Sequence, residues 1–202
     1  EASYNFGAVK ATAFYGKATD SDYAFQDGNT STMGDYKAVE VSTQAFGLDL
    51  MAGYADFEDI AGIKGANDEI WWAQAGKSFG DVAVKATYLK ADATEAAVKA
   101  TSKDDDGYAF AVSYKGAKAS EVGTWGLFAN YWNQGGQTYI AHTTDANWFE
   151  HRGFKGYGIG ANYTIDKNIV ATVVYYDTEA KVESDTKGND DQTLWTEVVF
   201  TF

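Results

Sequence analysis

Apolar and polar residues alternate one by one along most of this chain. Val9, Ala11, Ala13 and Tyr15 interleave with Lys10, Thr12, Phe14 and Gly16; Val39, Val41, Thr43 and Ala45 with Glu40, Ser42 and Gln44; Leu48, Leu50, Ala52 and Tyr54 with Asp49, Met51 and Gly53. The pattern returns at 71–76, 82–88, 108–114, 125–132, 157–163 and 169–176, and ends on the run 194–202. A period of two belongs to a strand, whose successive side chains point to opposite faces. Ten strands are predicted. Their connections alternate in kind: short at 46–47, 78–81, 116–120 and 166–168, long and polar at 19–36, 56–69, 91–107, 134–153 and 179–191. In an up-and-down chain that order gathers the long connections at one end of the strands and the short turns at the other.

Aromatic residues concentrate near the strand ends, at Tyr4, Tyr15, Tyr54, Trp71, Trp72, Tyr88, Tyr108, Tyr114, Trp125, Tyr131, Tyr157, Tyr163 and Phe202. Two belts at membrane–water interfaces produce such a distribution. Segments of about ten residues are long enough to cross a hydrocarbon layer when tilted. Because lipid offers no hydrogen bonds, such a sheet must close on itself or be completed by other strands. The pattern therefore predicts an all-β fold, a transmembrane antiparallel up-and-down β-barrel of about ten strands, as a single domain over residues 1–202. A soluble lipocalin-like barrel would turn its apolar residues inward. Here the more apolar face carries the aromatic belts.

Composition agrees with this picture. The 202 residues include no Pro, whose missing N–H would break a ladder, and no Cys, which excludes a disulfide framework and a thiol nucleophile. A net charge of -13 excludes a nucleic-acid partner, since phosphates demand a basic surface. The mean hydropathy of -0.36 does not oppose a barrel, whose lipid-facing and lumen-facing residues average out. No signal-peptide pattern opens the chain, so a mature product or part of a longer protein is expected.

The closing run Thr193-Leu194-Trp195-Thr196-Glu197-Val198-Val199-Phe200-Thr201-Phe202 resembles the end of OmpM-type porins. So do Gly158-Ile159-Gly160-Ala161-Asn162-Tyr163-Thr164 and the stretch from Asn168 through Tyr175, Tyr176 and Asp177. These are the major outer-membrane proteins of diderm Firmicutes (Negativicutes). The resemblance is specific over roughly the last quarter of the chain. It implies a porin in the bacterial outer membrane, long loops outside and short turns in the periplasm, with Phe200 and Phe202 in the signal read by the barrel-insertion machinery. It also implies contact with lipid and lipopolysaccharide, a homotrimer, and a larger, 16-stranded barrel. The family's peptidoglycan tether would be carried by a missing N-terminal SLH region, for which this chain has no counterpart. The chain is then either a complete barrel of about ten strands or the C-terminal part of a longer porin, and the even strand count, which places both chain ends on the periplasmic side, fits both.

Alternation assigns a pore-lining set: Lys10, Glu40, Gln44, Asp49, Gln74, Lys85, Lys115, Asn130, Asn162 and Glu197. Mixed charges and amides suit a water-filled wall, where each is solvated and charge rings set ion preference. In a narrow closed barrel the same groups would pair with one another in a plugged interior. The loop 134–153 holds His142, Asp145, Glu150, His151 and Arg152, candidates for a constriction. Its Tyr139, Trp148, Phe149 and Phe154 imply that it packs on something. Asp145 with His151 is also the pair to test against an omptin-like protease, although no catalytic spacing supports it. Asp104, Asp105, Asp106, Asp190 and Asp191 are acidic enough for a hard cation but lack the Asp-x-Asp-x-Asp-Gly spacing. No metal, cofactor or covalent chemistry is expected. The sequence reads as a diffusion porin, with a small, poorly conducting structural barrel as the competing class.

Overall fold

The computed structural model describes residues 1–17, 35–59, 64–95, 104–139, 149, 152–185 and 188–201. The alternating segments become eleven strands: β1 (Ala2–Phe6), β2 (Val9–Lys17), β3 (Asp35–Ala45), β4 (Leu48–Phe57), β5 (Asp68–Phe79), β6 (Val82–Ala93), β7 (Asp106–Lys115), β8 (Trp125–Gln134), β9 (Phe154–Asp166), β10 (Ile169–Ala180) and β11 (Asp190–Phe200). They form one sheet in which each strand pairs antiparallel with its sequence neighbours. No pairing joins β1 to β11, so the sheet is open.

β1 corrects the expected count of ten. Its five residues are too few to display a period, and only Tyr4 and Phe6 mark its apolar face. With eleven strands, Ala2 lies at the long-connection end and Phe200 at the short-turn end, so the two ends are not on the same side. The strands are also longer than their hydrophobic pattern. β3 already begins at Asp35, β4 runs on to Phe57, β5 begins at Asp68 and β10 reaches Ala180. Ladder hydrogen bonds join backbones, so pairing continues where the apolar alternation has faded.

The turns explain the tight end. Phe46 and Gly47, with φ of 56° and 71°, both take the left-handed conformation that a two-residue hairpin turn requires. Gly80 and Asn168 meet the same need in the turns after β5 and β9.

Register fixes the two faces. Tyr88 lies opposite Tyr108, Phe110 opposite Tyr131, Tyr131 opposite Tyr157, and Ile159 opposite Tyr175. These side chains are exposed, as are Val41, Val84, Val112, Leu127, Val173 and Leu194 on the same face. On the opposite face Phe14, Tyr36, Trp72, Phe128, Trp132 and Tyr176 are half-buried, and every buried strand residue, among them Ala55, Ile70, Ala91, Phe154 and Val174, belongs to it. The sheet therefore curls toward that second, inner face.

On the outer face the aromatics form two rows. Tyr108 and Tyr114, Tyr131 and Trp125, Tyr157 and Tyr163 are each six residues apart, about 20 Å along the strand. Trp71 belongs to the row near the long connections. Trp72, grouped with the belts on sequence alone, faces inward.

Candidate functional site

The inner face divides into two halves. Toward the short turns it carries Lys10, Glu40, Gln44, Asp49, Gln74, Lys85, Asn130, Asn162 and Glu197. The pairing register confirms that these nine share one side: Gln44 lies opposite Asp49, Met51 opposite Gln74, Gln74 opposite Thr87, Asn162 opposite Thr172, and Thr172 opposite Glu197. Toward the long connections the same face is apolar. A cavity of about 430 Å³ there is lined by Phe14, Tyr36, Phe57, Ile70, Trp72, Leu89, Trp132 and Tyr139.

Several of the nine are committed to local bonds. Gln44 Nε2 donates to Asp49 Oδ1 at 2.8 Å across the β3–β4 hairpin. Gln74 Oε1 accepts from Thr87 Oγ1 at 3.2 Å, and its amide nitrogen approaches Met51 Sδ at 3.8 Å. Asn162 Oδ1 accepts the backbone N–H of Ala117 at 2.9 Å, and Thr164 Oγ1 donates to Lys118 O at 3.0 Å, which ties the β7–β8 connection across β9. Lys10, Glu40, Lys85, Asn130 and Glu197 have no side-chain partner among the described residues. They are the groups left to meet solvent.

Lys115 leaves the set. Its φ of 57° breaks the alternation at the end of β7, and its ammonium lies 4.9 Å from the Trp125 ring and 5.3 Å from the Tyr114 ring, both on the outer face. Strand periodicity assumes extended backbone, and a left-handed residue redirects its side chain.

The inner aromatics lie across glycines. Tyr36 is the register partner of Gly16, Trp72 of Gly53, Phe128 of Gly160 and Tyr176 of Gly158. A Cβ added at Gly16, Gly53, Gly158 or Gly160 would overlap the partner's ring. Each ring thus lies down on its neighbouring strand instead of standing up from the sheet. Glycine in a strand marks such a close approach, a signal present in the sequence but readable only once the register is known.

At the long-connection end the described residues of the β8–β9 connection turn inward. Tyr139 and Phe149 are buried with Phe154 and Ala180 and pack against Trp132 and Tyr176 of the inner face. Tyr139 stands edge-on to Phe154 at 5.4 Å, and its hydroxyl accepts the Gly153 N–H at 3.2 Å. Arg152 anchors the segment. Its guanidinium donates to Gly188 O at 2.6 Å, to Asn189 Oδ1 at 2.8 Å and to Phe149 O and Val182 O at 3.4 Å, and stacks 5.5 Å over the Phe149 ring. Lys181 pairs with Asp104 at 2.5 Å, and Gly135 and Gln137 donate their N–H groups to Asp106 O and Asp104 O. The connections after β6, β8 and β10 are thereby stitched into one rim. His142, Asp145, Glu150, His151 and Trp148 lie outside the described residues.

Compared with protein-family models and with curated protein sequences, this chain matches none. The chemistry of the wall is therefore read from its own residues. Three of the five acidic residues weighed as a cation site are otherwise engaged: Asp105 pairs with Lys90 at 2.7 Å, Asp104 with Lys181, and Asp191 accepts from Thr193 Oγ1 at 2.7 Å. Among the described residues no group of three or more potential ligands is placed to hold a metal. Phe200 is exposed on the outer face opposite Ile169, and Phe202 lies outside the described residues.

Proposed function

We propose that this chain forms the wall of an outer-membrane porin, a passive route for ions and small hydrophilic solutes. The observation that carries the reading is the inversion of the sheet's two faces. Its outer surface presents large apolar side chains bounded by two aromatic rows, while the short-turn half of the curled inner surface holds charges and amides. A soluble sheet buries its apolar face; one immersed in lipid exposes it and reserves its interior for water. Lys10, Glu40, Lys85, Asn130 and Glu197 are the residues that would meet the passing solute. The rim built by Arg152, Phe149 and Tyr139 would narrow the mouth on the long-connection side. The outer-membrane location, the trimer, contact with lipopolysaccharide and recognition of Phe200 and Phe202 by the insertion machinery belong to the same proposal and rest on the resemblance of the C-terminal run.

The inward packing of Tyr139 and Phe149, together with the β7–β8 connection bonded to Asn162, favours a second reading: a membrane wall that conducts poorly. Single-channel recording of the folded chain in planar bilayers separates them. Discrete conductance steps support the porin, and their complete absence from a folded sample overturns it.

A further inference from the structure

Lys77 is out of place on its surface. On β5 it shares the outer face with Trp71, Ala73 and Ala75, two residues short of Phe79. Among the described residues it is the one charged side chain of that face lying between the two aromatic rows. A cation inside an apolar band is costly unless it reaches an interface or a partner, and it marks a functional position by default. The Lys77 ammonium bends toward the short-turn end and lies 5.2 Å over the Phe79 ring. Lys115 reaches the same zone through its left-handed backbone and rests on Tyr114 and Trp125.

The two lysines stand on β5 and β7, two strands apart and offset by three residues in register, which by strand geometry is roughly 14 Å between backbones, a gap that two lysine side chains can span. They differ from Lys37, Lys90, Lys118, Lys155 and Lys181, each of which has a carboxylate within 3.2 Å. Among the described residues neither Lys77 nor Lys115 has one. Beside Lys77 an apolar groove of about 610 Å³ crosses the outer face, lined by Leu48, Ala75, Val84, Ala86, Phe110 and Ala129, with Lys77 and Lys85 at its margin. The alanines leave a low floor between larger neighbours.

We propose that Lys77 and Lys115 bind the phosphate of an anionic phospholipid in the leaflet at the short-turn end, one of whose acyl chains lies in the alanine-floored groove. The inference rests on the membrane reading above. Two ammonium groups without carboxylates complement a phosphodiester, and their aromatic supports hold them at the depth of a headgroup. A zwitterionic lipid brings its own ammonium and is disfavoured. The groove, mostly apolar, suits a hydrocarbon chain.

The chain in non-ionic detergent is titrated with phosphatidylglycerol or phosphatidylethanolamine, and bound lipid is counted by native mass spectrometry. A preference for phosphatidylglycerol on the order of tenfold is expected. Joint substitution Lys77→Gln and Lys115→Gln removes the preference, whereas Ala86→Phe fills the groove and weakens both lipids. Flotation with phosphatidylcholine vesicles tests membrane association separately. A chain that does not float overturns both readings. One that floats but binds the two lipids equally, or keeps its preference without the two lysines, overturns the lipid site alone. A dimer indifferent to lipid that Ala86→Phe dissociates gives the groove to a second copy, and also overturns it.

Discussion

Replacing Arg152 with Ala isolates the contact that holds the rim together. The guanidinium makes two short hydrogen bonds to the β10–β11 connection, at 2.6 Å to Gly188 O and 2.8 Å to Asn189 Oδ1. Charge-assisted bonds contribute about 1.5–3 kcal/mol each, and partial exposure places these at the low end. The two bonds at 3.4 Å add little. Stacking on Phe149 adds about 0.5–1 kcal/mol. The sum is about 3–4 kcal/mol of local coupling between the connections after β8 and β10. Since the strands do not depend on Arg152, the loss falls on local opening and not on the whole sheet. The amides to watch are Lys181, which donates to Gly153 O, Val182, which donates to Arg152 O, and Ser184, which donates to Asn189 Oδ1. Their hydrogen exchange should accelerate by on the order of 100-fold or more, at about 1.4 kcal/mol per tenfold, while amides of central strands stay unchanged. Arg152→Lys keeps the charge but not the planar fork, and should recover less than half of the protection. Unchanged exchange at Lys181, Val182 and Ser184 in the alanine variant would refute the claim that Arg152 pins the rim.

Other outcomes follow from the inner face. Gly53→Val puts a branched side chain where the Trp72 indole lies, and should lower the urea midpoint by the equivalent of about 1–3 kcal/mol. Adding Trp72→Ala to it should cost less than the two single changes summed, because the overlap disappears. In the polar half of the inner face, Glu40→Lys with Glu197→Lys turns the set Lys10, Glu40, Asp49, Lys85 and Glu197 from net negative to net positive, so the reversal potential under a salt gradient should move toward anion preference. An unaltered reversal potential would remove both residues from the conducting path. Asp68 is 2% exposed and its Oδ1 has no hydrogen-bond partner. Asp68→Asn should therefore leave the urea midpoint unchanged or raise it, and a marked fall would mean that the carboxylate is needed where it stands.

Alternation alone put nine residues on one face of the sheet, where the register also puts them, because side-chain direction in an extended strand follows from position. It failed where the backbone is not extended, at Lys115, and where the strand is too short to show a period, at β1. The same parity identifies Lys77 as a cation on an apolar face, a signal that was legible and simply unread. The aromatic upper half of the interior was hidden for another reason. Phe14, Tyr36, Trp72 and Trp132 look like ordinary strand aromatics until the register sets three of them on glycines or glycine-flanked strands. The contact of Tyr139 and Phe149 with that surface depends on chain folding between strands, for which no period exists. Arg152 was singled out for its company of titratable residues, yet its observed partners are mainly backbone carbonyls, which every sequence contains.

The odd number of strands imposes a rule of parity on any closed ring this sheet could enter. In a ring where every neighbour runs antiparallel, directions alternate around the circle, and only an even number of members returns to the start without conflict. β1 and β11 both run from the long-connection end toward the turns, so joining them directly would make a single parallel seam with slanted hydrogen bonds among ten antiparallel ones. A seamless cylinder would instead need an odd number of strands inserted between these two edges.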